Sequence, residues 1–361
     1  MSTRRVLILA GGTGGHIFPA LAVAGELREQ GLTPCWMGAA HGMEERIVPA
    51  HGIPLSLIPI RGIRGKGWMR QVLAPFAILR ATLAAIGLIR RIRPGVVLGM
   101  GGFVSGPGGL AAWLCRKPLI IHEQNALPGL TNRLLARLAA RVLCAYPTAF
   151  PPGTRAEVTG NPVRREIVEA APSMEERVHP GPLRILVLGG SLGARSLNRT
   201  VPETLAGLDR TQHLEILHQT GEHEADAVAA RYRALGCAAR VVPFIAEMAG
   251  AYAWADCVIC RAGALTLAEL CVVGLPAVLI PFPHAVDDHQ TLNARHLSEN
   301  DAAVLLRDAE LSPATLAEAL RSIIDDPARR QAMAMRARAL GKPKATAEVV
   351  RHCVELMPHA A

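Results

Sequence analysis

The amino-acid sequence predicts an α/β protein of two domains, each built on a doubly wound parallel β-sheet. The first observation is a repeat: LILAGGTGGHIFPALAVAGEL (7–27) and ILVLGGSLGARSLN (185–198) each pass from an apolar run through glycines into a helix-like segment. Positions of the first turn align with positions of the second, namely Gly11, Gly12, Thr13 and Gly15 with Gly189, Gly190, Ser191 and Gly193. The second observation is length, because 361 residues exceed the usual extent of one hydrophobic core.

Short apolar runs are the third observation. In the first half they are RVLIL, TPCWMG, PGVVLGMGG, KPLIIHEQN and ARVLCAY, and in the second LRILVLGG, LEILHQTG, ARVVPFI, ADCVICRAG and LPAVLIPF. Runs of Val, Ile and Leu without polar alternation are typical of strands buried on both faces of a parallel sheet. Helix-like segments alternate with them, beginning at 19–30 and ending in an amphipathic tail from Ser312. Both halves therefore show the strand–helix alternation of a doubly wound sheet.

The segment NPVRREIVEAAPSMEERVHPGP (161–182) separates the two halves. It contains four prolines and charges of both signs, a composition typical of a connector. We therefore expect one domain at residues 1–162 and a second at 163–340. A C-terminal helix at 341–361 is expected to pack back toward the first domain.

The composition indicates a packed globular protein, with 50% hydrophobic and 19% charged residues. The longest apolar stretch, Val72 to Ile89, is interrupted by Pro75 and Arg80, so we expect no membrane-spanning helix. The N-terminal MSTRRVLILAGG has only a short apolar run before its glycines, which predicts a first strand rather than a secretion signal.

Cysteine spacing argues against a zinc site. The chain has eight cysteines, and only Cys257 and Cys260 form a CxxC pair. A structural zinc site needs a second ligand pair at suitable spacing, and none follows. We therefore expect reduced thiols packed in a buried strand and a reducing, cytoplasmic environment.

The positive charge lies in the N-terminal half. Residues 1–162 hold 18 Lys or Arg against 6 Asp or Glu, whereas the remainder holds 21 against 24. No acidic residue occurs between Arg46 and His122, while eleven basic residues do. A nucleic-acid partner is not expected, because aromatic residues make up only 4% of the chain and no recognised nucleic-acid motif is present.

Within this acid-free stretch, apolar and basic residues interleave at helical spacing. Such a pattern is typical of a helix lying in the plane of an anionic membrane surface. An ordinary helix with its apolar side in the core gives the same pattern. The predicted membrane patch consists of Trp68, Leu73, Phe76, Leu79 and Arg80.

The glycine turns present backbone N–H groups at the positive end of a helix dipole, where an anion can bind. Neither turn is a dinucleotide fingerprint. In the first turn Ile17 stands where G-x-G-x-x-G needs its last glycine, and the second turn departs earlier, at Gly190-Ser-Leu. Neither turn has the GK[ST] of a P-loop. A single turn of this kind could have a purely structural role, packing a helix on a sheet. Two at matching places favour a phosphate ligand in a cleft between the domains.

The segment CRAGALTLAEL (260–270) shows a third such turn. Thr266 and Glu269 form a T-x-x-E pattern that can cap a helix. Alternatively, Arg261 or the turn amides hold phosphate and Glu269 accepts hydrogen bonds from sugar hydroxyls. In PFPHAVDDHQTLNA (281–294) a solvated helix start is favoured over a metal site, which could be formed from His284, Asp287, Asp288 and His289.

Seven motifs in unbroken order carry a family resemblance: GGTGGHIFPALAVA, RGIRGKG, GMGGFVSGPGGLAA, HEQNALPGLTNRLLA, GNPVR, GGSLGARSLN and RAGALTLAE. Together they closely resemble the MurG family of peptidoglycan synthesis, over about residues 5 to 300. The resemblance implies a GT-B fold, two Rossmann-like domains facing across a cleft. It implies transfer of GlcNAc from UDP-GlcNAc to the 4-hydroxyl of MurNAc in lipid I, giving lipid II and UDP, with no cofactor and no metal.

The resemblance also implies where the partners bind. The C-terminal domain takes UDP-GlcNAc, and the N-terminal domain takes lipid I as a peripheral protein at the cytoplasmic face of the inner membrane. Contact with other cell-wall synthesis proteins is left open. Donor contacts fall on Thr13, Gly14, Gly15, Asn125, Arg164, Ser191, Ile245, Ala264, Leu265, Thr266, Leu267, Ala268, Glu269 and Gln290, and the phosphate loop on Gly189, Gly190 and Arg261.

An inverting displacement needs a base near the acceptor hydroxyl. His16 is the first candidate, because a helix N-terminus disfavours the charged imidazolium; it could instead merely pack at the turn. Glu123 is the second, being the only carboxylate between Glu45 and Glu157.

Two departures from the family limit the transfer of residue roles. The family commonly has Tyr where this chain has Phe103, and His289-Gln290 stands where a Gln-Gln pair is common. The competing functions are a GT-B transferase with another acceptor, a UDP-GlcNAc 2-epimerase, and a non-catalytic nucleotide-sugar binder.

Overall fold

The computed structural model describes residues 4–60, 68–173, 181–190, 193–208 and 213–358, without the side chains of residues 68–73 and 286. The chain divides into two compact units, Met1–Arg164 with Pro343–Ala361, and Arg165–Lys342. We refer to them as the first and the second unit.

The first unit is a parallel sheet with helices on both faces. Its described elements are β1 (Arg5–Leu9), α1 (Gly14–Glu29), β2 (Thr33–Ala39), α2 (Glu44–Ala50), β3 (Leu55–Ile58), α3 (Trp68–Ile92), β4 (Val96–Gly99), α4 (Ser105–Leu114), β5 (Leu119–Glu123), α5 (Leu130–Leu135), β6 (Arg141–Cys144) and β7 (Ala156–Val158). The strand order is β3-β2-β1-β4-β5-β6-β7, with every pairing parallel, as in Val6 opposite Pro34 and Val96.

The second unit repeats this architecture. Its described elements are α6 (Arg165–Glu169), β8 (Leu183–Leu188), α7 (Arg195–Ala206), β9 (Leu214–Gln219), α8 (Ala225–Ala234), β10 (Arg240–Val242), α9 (Met248–Trp254), β11 (Cys257–Cys260), α10 (Ala264–Val273), β12 (Ala277–Leu279), α11 (His289–Ser298), β13 (Ala303–Leu305), α12 (Pro313–Ile324) and α13 (Pro327–Leu340). The strand order is β10-β9-β8-β11-β12-β13. The predicted fold class, two doubly wound parallel sheets, is confirmed.

Each unit has its own core, formed by the apolar runs that the sequence marks as strands. In the first unit Val6, Ile8 and Leu98 are fully buried against Val23 and Leu27 of α1. In the second, Ile185, Val187 and Ile259 are buried with residues of α7 and α12. Burial on both faces explains why these strands lack polar alternation.

The helices differ from the sequence expectation at three places: the first helix, the connector and the C-terminal tail. α1 begins at Gly14 rather than near 19, with Pro19 inside it; a proline there removes one intrahelical hydrogen bond and does not end the helix. The connector contains α6, whose Ile167 is buried. The tail is not one helix: α12 and α13 belong to the second unit, and α14 (Ala345–Glu355) belongs to the first.

The CxxC cysteines lie in a central strand of the second sheet. Cys257 and Cys260 of β11 are buried and free, and burial raises the pKa of each thiol to about 12. A thiol that keeps its proton behaves as a small apolar side chain. The expected packing of these thiols in a buried strand is confirmed.

A buried histidine makes the first unit sensitive to acid. His122 of β5 is fully buried, and its Nε2 lies 2.9 Å from the carbonyl oxygen of Gly160. Burial lowers its pKa to about 4, although the hydrogen bond to Gly160 and the charge of Glu123 oppose this change. The folded protein therefore binds a proton less readily than the unfolded chain, whose histidine has its ordinary pKa of 6.5.

We expect the free energy of unfolding to fall as the pH falls from about 6.5 to about 4, by about 3 kcal/mol for this residue. Between these values the unfolded chain is protonated at His122 and the folded chain is not. His122→Gln, which can keep the bond to Gly160, is expected to remove this part of the pH dependence in denaturant titrations. His213→Gln, at an exposed position, is the control. An unchanged slope in His122→Gln would contradict the assignment.

Candidate functional site

The first glycine turn lies where the strand order of its sheet reverses. β1 and β4 are neighbours there, and their carboxyl ends lead into Gly11-Gly12 and Gly101-Gly102. In open α/β sheets, ligands bind at the carboxyl ends of the strands at this point. The two loops pack directly on each other, because a Cβ on Gly102 would collide with the carbonyl oxygen of Gly11.

His16 is held by a hydrogen-bond chain that fixes its tautomer. Gln124 Nε2 donates to the carbonyl oxygen of Met100 at 2.8 Å, so Gln124 turns its amide oxygen toward His16. That oxygen lies 3.2 Å from His16 Nδ1. Since an amide oxygen only accepts, Nδ1 must carry the hydrogen, and Nε2 of the neutral ring is the nitrogen that can take a proton.

Glu44 stabilises the first glycine turn through a hydrogen bond to Gly12. No motif in the sequence pointed to this residue. Its side chain is completely buried at the start of α2. Its two carboxylate oxygens accept from the backbone N–H groups of Gly12, at 3.1 Å, and Ala39, at 2.9 Å. A Cβ on Gly11 or Gly42 would collide with this carboxylate, and one on Gly38 would collide with the Glu44 Cγ. The signal in the sequence was Gly38 and Gly42 shortly before the acidic pair Glu44-Glu45.

Glu123, the second candidate base, lies at the end of β5, and its role as a base stays a prediction. It is buried at the end of β5, and its oxygens accept from Asn125, Gly129 and Asn132. Its Oε1 accepts from the backbone and side-chain nitrogens of Asn125 at 3.0 and 3.2 Å. Both carboxylate oxygens therefore accept hydrogen bonds, and they hold the loop that follows β5.

The other predicted residues of the first unit surround this turn. Thr13 is the N-cap residue of α1 and makes no side-chain cap hydrogen bond, so its hydroxyl does not satisfy the N–H groups of the first helical turn. Gly14 and Gly15 are in that turn. The Arg164 guanidinium carbon lies 5.6 Å from the centre of the Phe18 ring, which places Arg164 beside α1.

The second glycine turn occupies the equivalent point of the second sheet. β8 and β11 are neighbours at the reversal of strand order, and Gly189-Gly190 follows β8. Gln219 Nε2 donates to the carbonyl oxygen of Gly190 at 3.1 Å and fixes the turn. α7 makes no side-chain cap hydrogen bond at its N-terminus. Ser191, a predicted donor contact, lies outside the described residues.

Arg261 makes hydrogen bonds within the second unit, and its place in the phosphate loop stays a prediction. Its Nη1 lies 2.6 Å from Asp308 Oδ1, and its Nη2 donates to Ser196 Oγ at 2.8 Å. Nη1 also donates to the carbonyl oxygens of Ile280 and Pro281. Arg261 therefore ties the ends of β11 and β12 together.

The T-x-x-E pattern does not cap α10, so that alternative is wrong. The helix begins at Ala264 after Gly263, with no side-chain cap hydrogen bond. Glu269 instead lies within the helix, buried, and its Oε2 accepts from the Tyr252 hydroxyl at 3.0 Å. The Leu267 side chain is fully buried in the core, so any donor contact at this position is made by its backbone.

Ile245 lies in the loop after β10, and Gln290 lies in the first turn of α11. A cavity of about 910 Å³ lies beside Ile245 and is also lined by Phe244 and Trp254. Gln290 Oε1 accepts from the backbone N–H of Phe282 at 2.9 Å, which fixes the loop before α11.

Asp288, one of the four candidate metal ligands, accepts a hydrogen bond at Oδ1 from the Thr291 hydroxyl. Across the described ranges, no group of three potential ligands could hold a metal ion.

Two family models match the chain. The glycosyltransferase family 28 N-terminal domain matches residues 6–144, and the family 28 C-terminal domain matches residues 184–349. Relatives from Alkalilimnicola ehrlichii and Marinobacter nauticus are 53% and 51% identical, each over 98% of this chain and over 99% and 97% of their own lengths. Both are named UDP-N-acetylglucosamine–N-acetylmuramyl-(pentapeptide) pyrophosphoryl-undecaprenol N-acetylglucosamine transferase.

A solved structure agrees with these matches. The crystal structure of Acinetobacter baumannii MurG is 40% identical, with a TM-score of 0.84, and the similarity covers 98% of this chain and 99% of that one. The chain therefore belongs to glycosyltransferase family 28 and, within it, to the MurG family of GT-B glycosyltransferases.

Proposed function

We propose that this protein transfers GlcNAc from UDP-GlcNAc to the 4-hydroxyl of MurNAc in undecaprenyl-pyrophosphoryl-MurNAc-pentapeptide (lipid I), with inversion, giving lipid II and UDP. The observation that carries the proposal is the chain from the Met100 carbonyl through Gln124 to His16 Nδ1. This chain leaves Nε2 of the neutral His16 ring as the proton-accepting atom beside the first glycine turn. The names of relatives about 50% identical over the whole chain support the same reaction.

In this proposal His16 Nε2 takes the proton of the acceptor hydroxyl. The hydroxyl oxygen forms its bond to the anomeric carbon as the bond from that carbon to the UDP phosphate breaks, and UDP leaves with the electron pair. Negative charge grows on the phosphates during this step. The N-termini of α7 and α10, which no side chain caps, are suited to stabilise it through backbone N–H groups and the helix dipole. No cofactor or metal ion takes part.

We assign the donor to the second unit. Its proposed contacts there are the backbone of Ile245 for the uracil edge, Glu269 and Gln290 for sugar hydroxyls, the turn at Gly189-Gly190-Ser191 for phosphate, and residues 264–268 along α10. Glu269 is supported by its bond from Tyr252, which holds one carboxylate oxygen in place. Thr13, Gly14, Gly15, Asn125 and Arg164 remain proposed contacts of the first unit.

We assign lipid I and the membrane surface to the first unit, as a peripheral protein at the cytoplasmic face of the inner membrane. α3 buries one side, including Ala81 and Ala85, and exposes the other, where Phe76, Leu79 and Leu83 are 70%, 57% and 60% exposed. Exposed apolar side chains beside basic ones suit an anionic interface. The side chains of Trp68 and Leu73 lie outside the described residues.

No helix among the described residues is both long and apolar enough to cross a bilayer. The membrane assignment is tested by flotation with vesicles of anionic phospholipid. Failure to float with them would contradict it.

The reaction is tested by measuring UDP release from UDP-GlcNAc in EDTA, with and without a lipid I analogue, and by identifying the sugar product. We expect UDP only when the acceptor is present, together with a β1→4 disaccharide. UDP formed from donor alone, with UDP-ManNAc as intermediate or product, would instead support an epimerase. Donor binding without any UDP would support a nucleotide-sugar binder.

A further inference from the structure

A buried tyrosine of the second unit contacts the acidic residue that we assign to the sugar hydroxyls of the donor. Tyr252 of α9 and Glu269 of α10 are both buried. The Tyr252 hydroxyl donates to Glu269 Oε2 at 3.0 Å. This bond joins the helix that precedes β11 to the helix that follows it.

The bond limits the orientations that the Glu269 carboxylate can take. The last side-chain torsion of a glutamate is broad and roughly two-fold, so a carboxylate that is not held turns easily. A donor on Oε2 restricts this rotation and thereby sets the direction of Oε1. Because an ionised carboxylate only accepts hydrogen bonds, a carboxylate held in this way is suited to ligand groups that donate them.

A ribose offers two such groups. Its 2′- and 3′-hydroxyls are neighbours, and each can donate to the oxygens of one carboxylate. An acidic residue bound to the ribose 2′-hydroxyl is a common arrangement where nucleotides bind to doubly wound sheets. A 2′-deoxyribose lacks one of the two donors and would leave a buried acceptor without its partner, which lowers the affinity.

The helix that carries Tyr252 also lies next to the proposed contact to the base. Ile245 is in the loop between β10 and α9, beside the cavity that Gly250 and Ala251 of α9 also line. A displacement of α9 would therefore disturb the contacts to both the base and the ribose. Loss of the Tyr252 hydroxyl alone would release only the Glu269 carboxylate, so the two effects can be told apart by changing the ribose.

We propose that Tyr252 is a positioning residue, which holds the Glu269 carboxylate in the orientation that selects ribose over 2′-deoxyribose in the nucleotide. This inference rests on the proposed binding of UDP-GlcNAc in the second unit. It goes beyond that proposal, because it assigns the choice of the nucleotide's sugar to a tyrosine that is itself buried.

The test measures the affinity of the whole chain for UDP and for 2′-deoxy-UDP by isothermal titration calorimetry. The proteins compared are the wild type, Tyr252→Phe, Glu269→Gln and the double variant. Tyr232→Phe is the matched control, because it also removes the hydroxyl of a buried tyrosine of the second unit. That hydroxyl lies 3.0 Å from His218 Nδ1 instead of a carboxylate. Thermal unfolding of each variant checks that the fold is intact.

We expect the wild-type protein to prefer UDP over 2′-deoxy-UDP by about tenfold or more, and Tyr252→Phe to reduce this preference to about threefold or less. Tyr232→Phe should keep the wild-type preference. In the Glu269→Gln background, removal of the Tyr252 hydroxyl should not change the preference further, because no carboxylate is left to hold. An unchanged or larger preference in Tyr252→Phe would overturn the proposal.

The outcomes separate this inference from the proposed reaction. Equal affinities of the wild-type protein for the two nucleotides would overturn the role of Tyr252 and leave GlcNAc transfer standing. The expected preference without any transfer activity would leave the role of Tyr252 standing and overturn the reaction. Binding of neither nucleotide would overturn both.

Discussion

Replacing His16 with alanine is expected to lower kcat for GlcNAc transfer by about 10²- to 10⁴-fold, the usual contribution of a positioned base. The structure supplies the position, since Gln124 holds Nδ1 and directs the proton-accepting role to Nε2. Affinity for UDP-GlcNAc, measured by equilibrium titration, is expected to change by only about threefold, because the base acts mainly in the transition state. His213→Ala, which removes an exposed imidazole, is the control.

A second variant tests how the ring is positioned. Gln124→Met removes the acceptor that fixes the tautomer and should give a smaller loss than His16→Ala. A loss below about tenfold in His16→Ala would show that another group takes the proton.

The parts of this site that follow from local sequence could be predicted. Glycine after an apolar run marks a turn whatever surrounds it, and the repetition of that turn at Gly11 and Gly189 predicts two similar domains. Unalternating apolar strands predict parallel sheets because burial on both faces is a property of the strand itself. The exposed face of α3 could also be predicted locally, from the helical spacing of Phe76 and Leu79 beside Arg80.

The contacts between residues that are distant in sequence could not be predicted. Gln124 meets His16 across 108 positions, and Arg261 meets Asp308 across 47. No pattern within one element specifies either contact. The T-x-x-E pattern failed for a related reason: the end of β11 determines where α10 begins, so Thr266 falls inside the helix. Glu123 was isolated in sequence, yet its partners are amides of the loop that follows it and the side chain of Asn132 in α5.

Glu44→Gln is expected to reduce kcat by about 10- to 10²-fold and to lower the free energy of unfolding by about 1–3 kcal/mol, the usual cost of a buried donor left without an acceptor. The amide of glutamine can accept on only one side. Either Gly12 N–H or Ala39 N–H would then face an NH₂ group instead of a carboxylate oxygen. Since Gly12 directly precedes the N-terminus of α1, a shift of this turn moves His16.

Glu45→Gln is the matched control, because this neighbouring carboxylate is exposed and bonds only the backbone N–H of His41 among the partners described. We expect it to leave both kcat and stability close to wild type. Activities of all variants are compared well below the midpoint of thermal unfolding, so that loss of folded protein does not enter kcat.

A double-mutant cycle distinguishes positioning from a general loss of stability. If Glu44 acts on the reaction through the placement of His16, then Glu44→Gln should reduce kcat strongly in the wild-type background and only slightly in His16→Ala. Its effect on unfolding should be the same in both backgrounds, because the unsatisfied N–H group is present in each. Fully additive losses in kcat would mean that Glu44 supports the first unit without positioning His16.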